Sequence, residues 1–431
     1  MKKDVFFKIT ALGDAFTQLQ EFAVPILDSE RVSTRDSLNR ILSADVRSPT
    51  NVPHFERSSR DGYAVKSSDT FGAGEVKPIF LQVVGEVLAG AKANGLISKG
   101  ECMRISTGAI VPRGADSVVM LEYTEEEADG VGVHRPTSPG ENIIKIGSDV
   151  KAGDYVFRRG RKLSAFDSGA LAALGFSEIS VFRRPNVSIM STGNELLSAG
   201  QELEEGKVYD INSVTIHQAV IESGAIPIDL GIFPDDPILL VSAINSALSS
   251  SDVILASGGT SKGPGDLLLS AIKELGEPRF LVHGIAIKPG KPTILASIKD
   301  KLLITLPGYP TSALVVYYVL VDPTIRKMAH EAPYAYQRVK AHTSTRFYSE
   351  IGRKEFKPCR ITKTDAEGIH VEPSVTGSEA IKTLIDADGF IIIDEETEFV
   401  NEGQEVEFYV FPHRLGEVNR ISGGPLWRNP V

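Results

Sequence analysis

The chain is 431 residues long and carries 46 Lys and Arg against 56 Asp and Glu, a formal net charge of −10 at pH 7. That balance argues against general nucleic-acid binding and makes recognition of any anionic substrate depend on a local cluster of cations. Its length predicts roughly two to four domains, and its two distant cysteines, Cys102 and Cys359, give neither a disulfide framework nor a paired metal motif, which fits a reducing cytoplasm.

Met1 to Lys8 is charged and precedes no long apolar stretch, so no leader peptide is expected. Asp14 to Leu27 has the periodicity of an amphipathic helix, and Leu38 to Val46 reads as a second element of the same scaffold. Asp61-Gly62 is a turn signal. Between residues 75 and 135 short β-like runs, such as Leu81 to Val84 and Ser117 to Leu121, alternate with glycines, the pattern of a small β-rich insert. Residues 125 to 129 are acidic and read as a solvated loop. Ser164 to Leu174 is helix-like and ends at Gly175, a C-cap signal.

From about residue 184 strands and helices alternate, as in parallel α/β domains. Val187 to Met190 runs into Ser191-Thr192-Gly193-Asn194-Glu195. Tyr209-Asp210-Ile211-Asn212-Ser213 opens a helix that closes at Gly224. Ile226 to Phe233 ends in Pro234-Asp235-Asp236, where Asp236 suits an N-cap and Pro237 the first helical position. Val253 to Ala256 ends in Ser257-Gly258-Gly259-Thr260-Ser261-Lys262-Gly263-Pro264-Gly265-Asp266. Leu302 to Leu306 ends in Pro307-Gly308-Tyr309-Pro310. The longest apolar run, Ala313 to Val321, is too short to cross a bilayer, so no membrane partner is expected. After Pro333 short β runs return from Gln337 to Val410, a separate small β domain. A Pro/Gly-containing tail follows.

Four strands thus end in loops of small, acidic or Pro-Gly residues, and in doubly wound sheets ligands bind beyond the carboxyl ends of strands. Glycines there let backbone N–H groups approach an anion closely. Lys288-Pro289-Gly290-Lys291-Pro292 adds two cations on a proline-stiffened loop. Asp235 and Asp266 are expected to face the crevice, and Asp266, at the start of a helical pattern, to suit a metal ion. Each motif alone reads as an ordinary turn or a solvated lysine pair; their adjacency favours an oxyanion or phosphate site. The Ser257 loop is not a Walker A sequence, having no Gly-Lys-Ser/Thr, and it lacks Rossmann glycine spacing.

With these residues in place, the sequence resembles the MoeA family, the molybdopterin molybdenumtransferases, whose relatives include the gephyrin E domain. The resemblance spans residues 1 to about 412. It rests on Asp61-Gly62-Tyr63-Ala64, Thr107-Gly108-Ala109, Gly140-Glu141-Asn142, Ser191 to Leu196, Ser257-Gly258-Gly259 with Asp266, the Lys288 to Pro292 motif and Leu306-Pro307-Gly308. It implies a multidomain α/β fold in which a central parallel α/β, MogA-like domain (181–332) joins a scaffold region (1–45 and 140–180), a β-rich insert domain (46–139) and a C-terminal small β domain (333–415), with a tail at 416–431. The implied activity is insertion of molybdate into adenylated molybdopterin with release of AMP, assisted by Mg2+ or another divalent metal, in a cytoplasmic homodimer. The implied functional acids are Asp61, Asp149, Glu195, Asp235 and Asp266, with Asp235 and Asp266 holding the metal. Thr107, Thr192, Gly193, Ser257, Gly258, Gly259, Lys288, Lys291, Pro292, Pro307, Gly308, Pro310, Arg353 and Ser378 are the implied substrate-binding positions. Lys262, Pro264, Tyr309, Thr311 and Arg60 depart from the family's usual residues, which leaves a tungstate-inserting paralogue or a catalytically weak scaffold on the same fold as alternatives.

Overall fold

The computed structural model describes residues 9–128, 130–259, 267–365, 368–374, 377, 379–411 and 414. The chain forms two compact units, one of Met1–Ser29 with Phe182–Val431 and one of Glu30–Val181.

The first unit is built on a six-stranded sheet in the order Ile226–Phe233, Asn186–Thr192, Val253–Ser257, Lys301–Leu306, Ile294–Ile298, Phe280–His283. The first four are parallel to one another; Ile294–Ile298 runs antiparallel to them, and Phe280–His283, antiparallel to Ile294–Ile298, returns to the direction of the first four, so the sheet is mixed. Val253–Ser257 is buried throughout because both faces are covered. Its side chains alternate: Val253 and Leu255 join one apolar core with Leu19, Ile216 and Val220, and Ile254 and Ala256 join another with Leu240, Ile244 and Leu268. The predicted N-terminal helix is shorter than its periodicity suggested, Leu12–Phe22, since Val24 precedes Pro25 and the residue before a proline disfavours helical backbone. Asp236 caps Pro237–Ser250, accepting from the N–H groups of Ile238 and Leu239 at 2.8 and 3.2 Å.

The C-terminal strands form a second six-stranded sheet. Lys354–Asp365 pairs with both Gly368–Pro373 and Gly389–Ile393, which closes the ladder on itself around Val371, Ile391, Phe408 and Val410. Ile287–Lys288 joins this sheet as a short parallel strand, with Lys288 opposite Glu355.

In the second unit the β-rich insert is a six-stranded sheet running from Ser117–Met120 through Gly62–Val65, Glu101–Ile105, Ile79–Val87 and Gly130–Val133 to Thr124–Glu127. The acidic stretch expected as a loop is therefore an edge strand over Thr124–Glu127, its glutamates exposed. Charge on an edge discourages pairing with other chains. Leu38–Val46 is mostly irregular: Ile41 and Leu42 make only isolated bridges, Asn39 takes a left-handed φ of 60°, Leu38 is exposed, and only at Val46 does a short strand, Val46–Arg47, begin, paired antiparallel with Tyr155–Phe157. Ala165–Ala173 starts with a reciprocal cap between Ser164 and Asp167 and ends before Gly175 at φ 85°.

Candidate functional site

At the carboxyl end of the parallel strands, side chains from different loops lock together. Ser191 and Ser257, the ends of neighbouring strands, share a buried hydroxyl–hydroxyl hydrogen bond of 3.0 Å. The Thr192 hydroxyl donates to Asp235 Oδ1 at 2.8 Å, and the Asp235 N–H donates to Asn194 Oδ1 at 3.2 Å. The structure thus joins the loops after Asn186–Thr192 and Ile226–Phe233 around an exposed Asp235. Glu195 is also exposed and lies over Gly193, where a Cβ would come within 2.8 Å of its carboxylate.

The Ser257 loop needs glycine at its first turn. Gly258 has φ 91°, and a Cβ there would sit 2.1 Å from the Thr192 carbonyl oxygen. The backbone passes against its neighbour with no room for a side chain, and Gly258 N–H donates to the Leu306 carbonyl at 3.3 Å. Asp266 and Ser378 lie outside the described residues.

Asn212, only 5% exposed, reaches from the start of helix Asn212–Glu222 and donates through Nδ2 to the carbonyls of Pro307 and Gly308, at 3.3 and 2.9 Å. This clamp fixes the Pro-Gly turn, and sequence reasoning saw Asn212 only as part of a helix start. Asp210 Oδ2, Asn212 Oδ1 and Thr311 Oγ1 are buried without a hydrogen-bond partner among the described residues. Buried polar atoms are normally paired, so the unpaired set marks this end of the sheet as built for something other than stability alone.

Lys288 is half-buried, its Nζ 3.3 Å from Glu355 Oε2. Glu355 is 2% exposed and is also held by Lys357 at 3.2 Å and by the Ser349 hydroxyl at 2.7 Å. The reading of Lys288 as a solvated surface lysine therefore does not hold. Glu355 was overlooked as a partner because the pairing depends on strand register, which sequence spacing does not reveal. Lys291 and Pro292 are partly buried on the same loop, Pro307 is buried and Pro310 partly so at the head of helix Pro310–Val316. Arg353 pairs with Glu350 at 3.0 Å.

The remaining predicted residues belong to the second unit. Asp61 and Thr107 meet: the Thr107 N–H donates to Asp61 Oδ1 at 2.8 Å. That backbone hydrogen bond, reinforced by the Thr107 side chain, holds the Asp61 carboxyl below the usual carboxylate range. Asp149 is exposed, with its N–H bonded to the Val52 carbonyl at 3.1 Å.

The mixed sheet with its covering helices, the closed C-terminal sheet and the β-rich insert define a multidomain α/β protein. Residues 10–175 match the MoeA N-terminal region (domain I and II), 188–327 the probable molybdopterin binding domain, and 340–411 the MoeA C-terminal region (domain IV). The chain belongs to the MoeA family. It is 32% identical over 391 residues to the molybdopterin molybdenumtransferase of Haemophilus influenzae, covering 90% of this chain and 95% of that one. To the Bacillus subtilis enzyme of the same name it is 31% identical over 394 residues, covering 90% and 91%. A crystal structure of a molybdopterin biosynthesis MoeA protein from Pyrococcus horikoshii superposes with a TM-score of 0.79 at 38% identity, covering 94% of this chain and 99% of that one. Membership places the chain among enzymes of molybdenum cofactor biosynthesis.

Proposed function

We propose that this protein inserts molybdate into adenylated molybdopterin and releases AMP. The observation that carries the reading is the set of interlocked strand ends: Thr192 orienting Asp235, Asn212 fixing the Pro307-Gly308 turn, and three buried polar atoms left without partners among the described residues. Cleaving a phosphoanhydride requires its charge to be neutralised and its phosphates held in line. The glycine loop at Gly258 supplies backbone close enough to cradle a phosphate. Lys288, Lys291 and Arg353 supply the positive charge that a small tetrahedral dianion needs, and the prolines of the loop limit its freedom.

A divalent metal fits the donors. Asp235 offers a carboxylate oxygen, the ligand type that Mg2+ prefers, and its first oxygen is already oriented by Thr192. Asp266 is the proposed second ligand. Bound there, the ion would neutralise phosphate charge.

Glu195 and Ser378 are further proposed functional positions of the first unit and Asp61, Thr107 and Asp149 those of the second, and we propose a homodimer whose cleft draws on both subunits. The test is incubation of the protein with adenylated molybdopterin, Mg2+ and either molybdate or tungstate, following AMP release and cofactor formation. AMP release that depends on oxyanion is the expected result. No turnover with either oxyanion would overturn the reading, and a monomer by sedimentation at micromolar concentration would remove the shared cleft.

A further inference from the structure

The loop that holds Lys288 meets the C-terminal sheet at one buried carboxylate. Ile287–Lys288 pairs parallel with Lys354–Asp365, which sets Lys288 opposite Glu355. Side chains alternate along a strand, so Glu355 and Lys357 leave the same face. The result is one carboxylate between two ammonium groups. Lys288 Nζ lies 3.3 Å from Glu355 Oε2, and Lys357 Nζ lies 3.2 Å from Glu355 Oε1. The Ser349 hydroxyl, fully buried, donates to Oε2 at 2.7 Å and holds the carboxylate in place.

Two lysines against one glutamate leave one positive charge unmatched. Among the described residues neither lysine has a second carboxylate within ion-pair distance. Comparable clusters in the same unit balance. At Asp252 one buried acid faces Arg183 and Lys301, but Arg183 also meets Asp28 at 3.7 Å. Arg326 is matched by both Asp322 and Glu331. Glu355 is 2% exposed, whereas the side chains of Lys288 and Lys357 keep 31% and 26% of their surface open. The carboxylate is therefore closed to solvent while both ammonium groups still reach it, an arrangement that favours an incoming anion. Two like charges side by side repel, so the pair is held by Glu355 and gains further from an anion that touches both. We propose that Lys357 is a second oxyanion-binding cation, positioned beside Lys288 by Glu355, so that the C-terminal sheet completes the molybdate pocket. This rests on the oxyanion reading of the lysine loop given above and adds to it a residue from another domain.

The test reads binding apart from turnover. The melting temperature of the full-length protein is followed against added sodium molybdate, with sodium chloride at matched ionic strength so that general screening drops out. Molybdate should stabilise the parent protein. Lys357→Met should weaken the apparent molybdate affinity about ten-fold or more, the loss expected of one charge-assisted hydrogen bond, and Lys357→Arg should recover most of it. Both variants should leave the KM for adenylated molybdopterin near that of the parent. Glu355→Gln should melt lower without molybdate and regain that stability as molybdate is added, because the anion then takes the place of the missing charge between the two lysines. A carboxylate that only staples the loop to the sheet would lose stability that molybdate does not restore, and that result would overturn the positioning role. If Lys288→Ala weakens molybdate binding and Lys357→Met does not, the proposal falls while the reading of the lysine loop stands. If molybdate stabilises none of these proteins, the parent included, the oxyanion pocket and this proposal fall together.

Discussion

At the amino end of the central sheet, Asp252 is 8% exposed and surrounded by cationic and amide donors: Arg183 at 2.9 Å, the Asn186 N–H at 2.8 Å and Lys301 at 3.4 Å. At the carboxyl end, Asp235 is exposed and held by a neutral hydroxyl and by its own N–H to Asn194. Burial alone would raise the Asp252 carboxyl, but the Arg183, Asn186 and Lys301 interactions outweigh it and hold the group below the usual range. Its charge is used up inside the fold. That of Asp235 is oriented without being neutralised and so stays available to a cation or a ligand. The same residue type on the same sheet is satisfied by ion pairs at one end and left open to further partners at the other.

The sharpest way to break this comparison is to remove charge from one end at a time. Asp235→Asn keeps the shape and still accepts from Thr192, so thermal stability should be unchanged while AMP release slows by roughly a hundred-fold or more, the scale seen on losing one preorganised electrostatic group. Full turnover in this variant would take Asp235 out of the site. Asp252→Ala should do the reverse, costing about 2–4 kcal/mol in a urea melt by leaving Arg183 without its buried partner, with turnover of the folded protein retained. The depressed carboxyl of Asp252 gives this contribution a pH signature. It is fully present above the unfolded-state value of about 3.9 and is lost as pH falls through the lower folded-state value. The stability gap between the parent protein and Asp252→Ala should therefore close in strong acid and persist at neutral pH; a gap independent of pH would show that packing, not the ion pairs, is responsible.

The lysine loop sharpens the comparison further, because its two cations are held differently. Lys288→Ala and Lys291→Ala should each weaken oxyanion affinity about ten- to a hundred-fold, or 1.5–3 kcal/mol, at saturating adenylated molybdopterin. Only Lys288→Ala should also lower the melting temperature, since it removes one partner of the buried Glu355. Equal and unchanged oxyanion affinity in both variants would leave the loop outside the pocket.

Much of this was legible in the sequence. The β-branched runs at Val253 and Leu302, the Asp236-Pro237 cap and the small-residue loops after four strands each carry a local signal, and local signals survive without knowledge of the fold. Direction and register do not. Ile294–Ile298 looks like any buried strand, and nothing in its composition says that it runs antiparallel to both of its neighbours. The Asn212 clamp and the Lys288–Glu355 pair join residues far apart in the chain, created by packing alone. The edge strand Thr124–Glu127 was missed because its charge, read as solvation, is compatible with a strand that has water on one side.

The smallest effect separates positioning from packing at a single residue. Thr192 is 2% exposed; its hydroxyl serves Asp235, and its methyl stands where a Cβ on Gly259 would come within 3.0 Å. Thr192→Val keeps the methyl and loses the hydroxyl. Because Asp235 is exposed, water can replace the lost donor, so stability should hardly change, while a less well-oriented carboxylate should lower AMP release by about ten-fold or less, up to about 1.4 kcal/mol. Thr192→Ser keeps the hydroxyl and loses a buried methyl, which should cost about 1 kcal/mol of stability and leave turnover near that of the parent. The two variants should therefore cross, one losing activity and the other stability. If activity and stability fall together in both, Thr192 acts by packing alone and the neutral hydroxyl at the carboxyl end of the sheet does not orient Asp235 for the reaction.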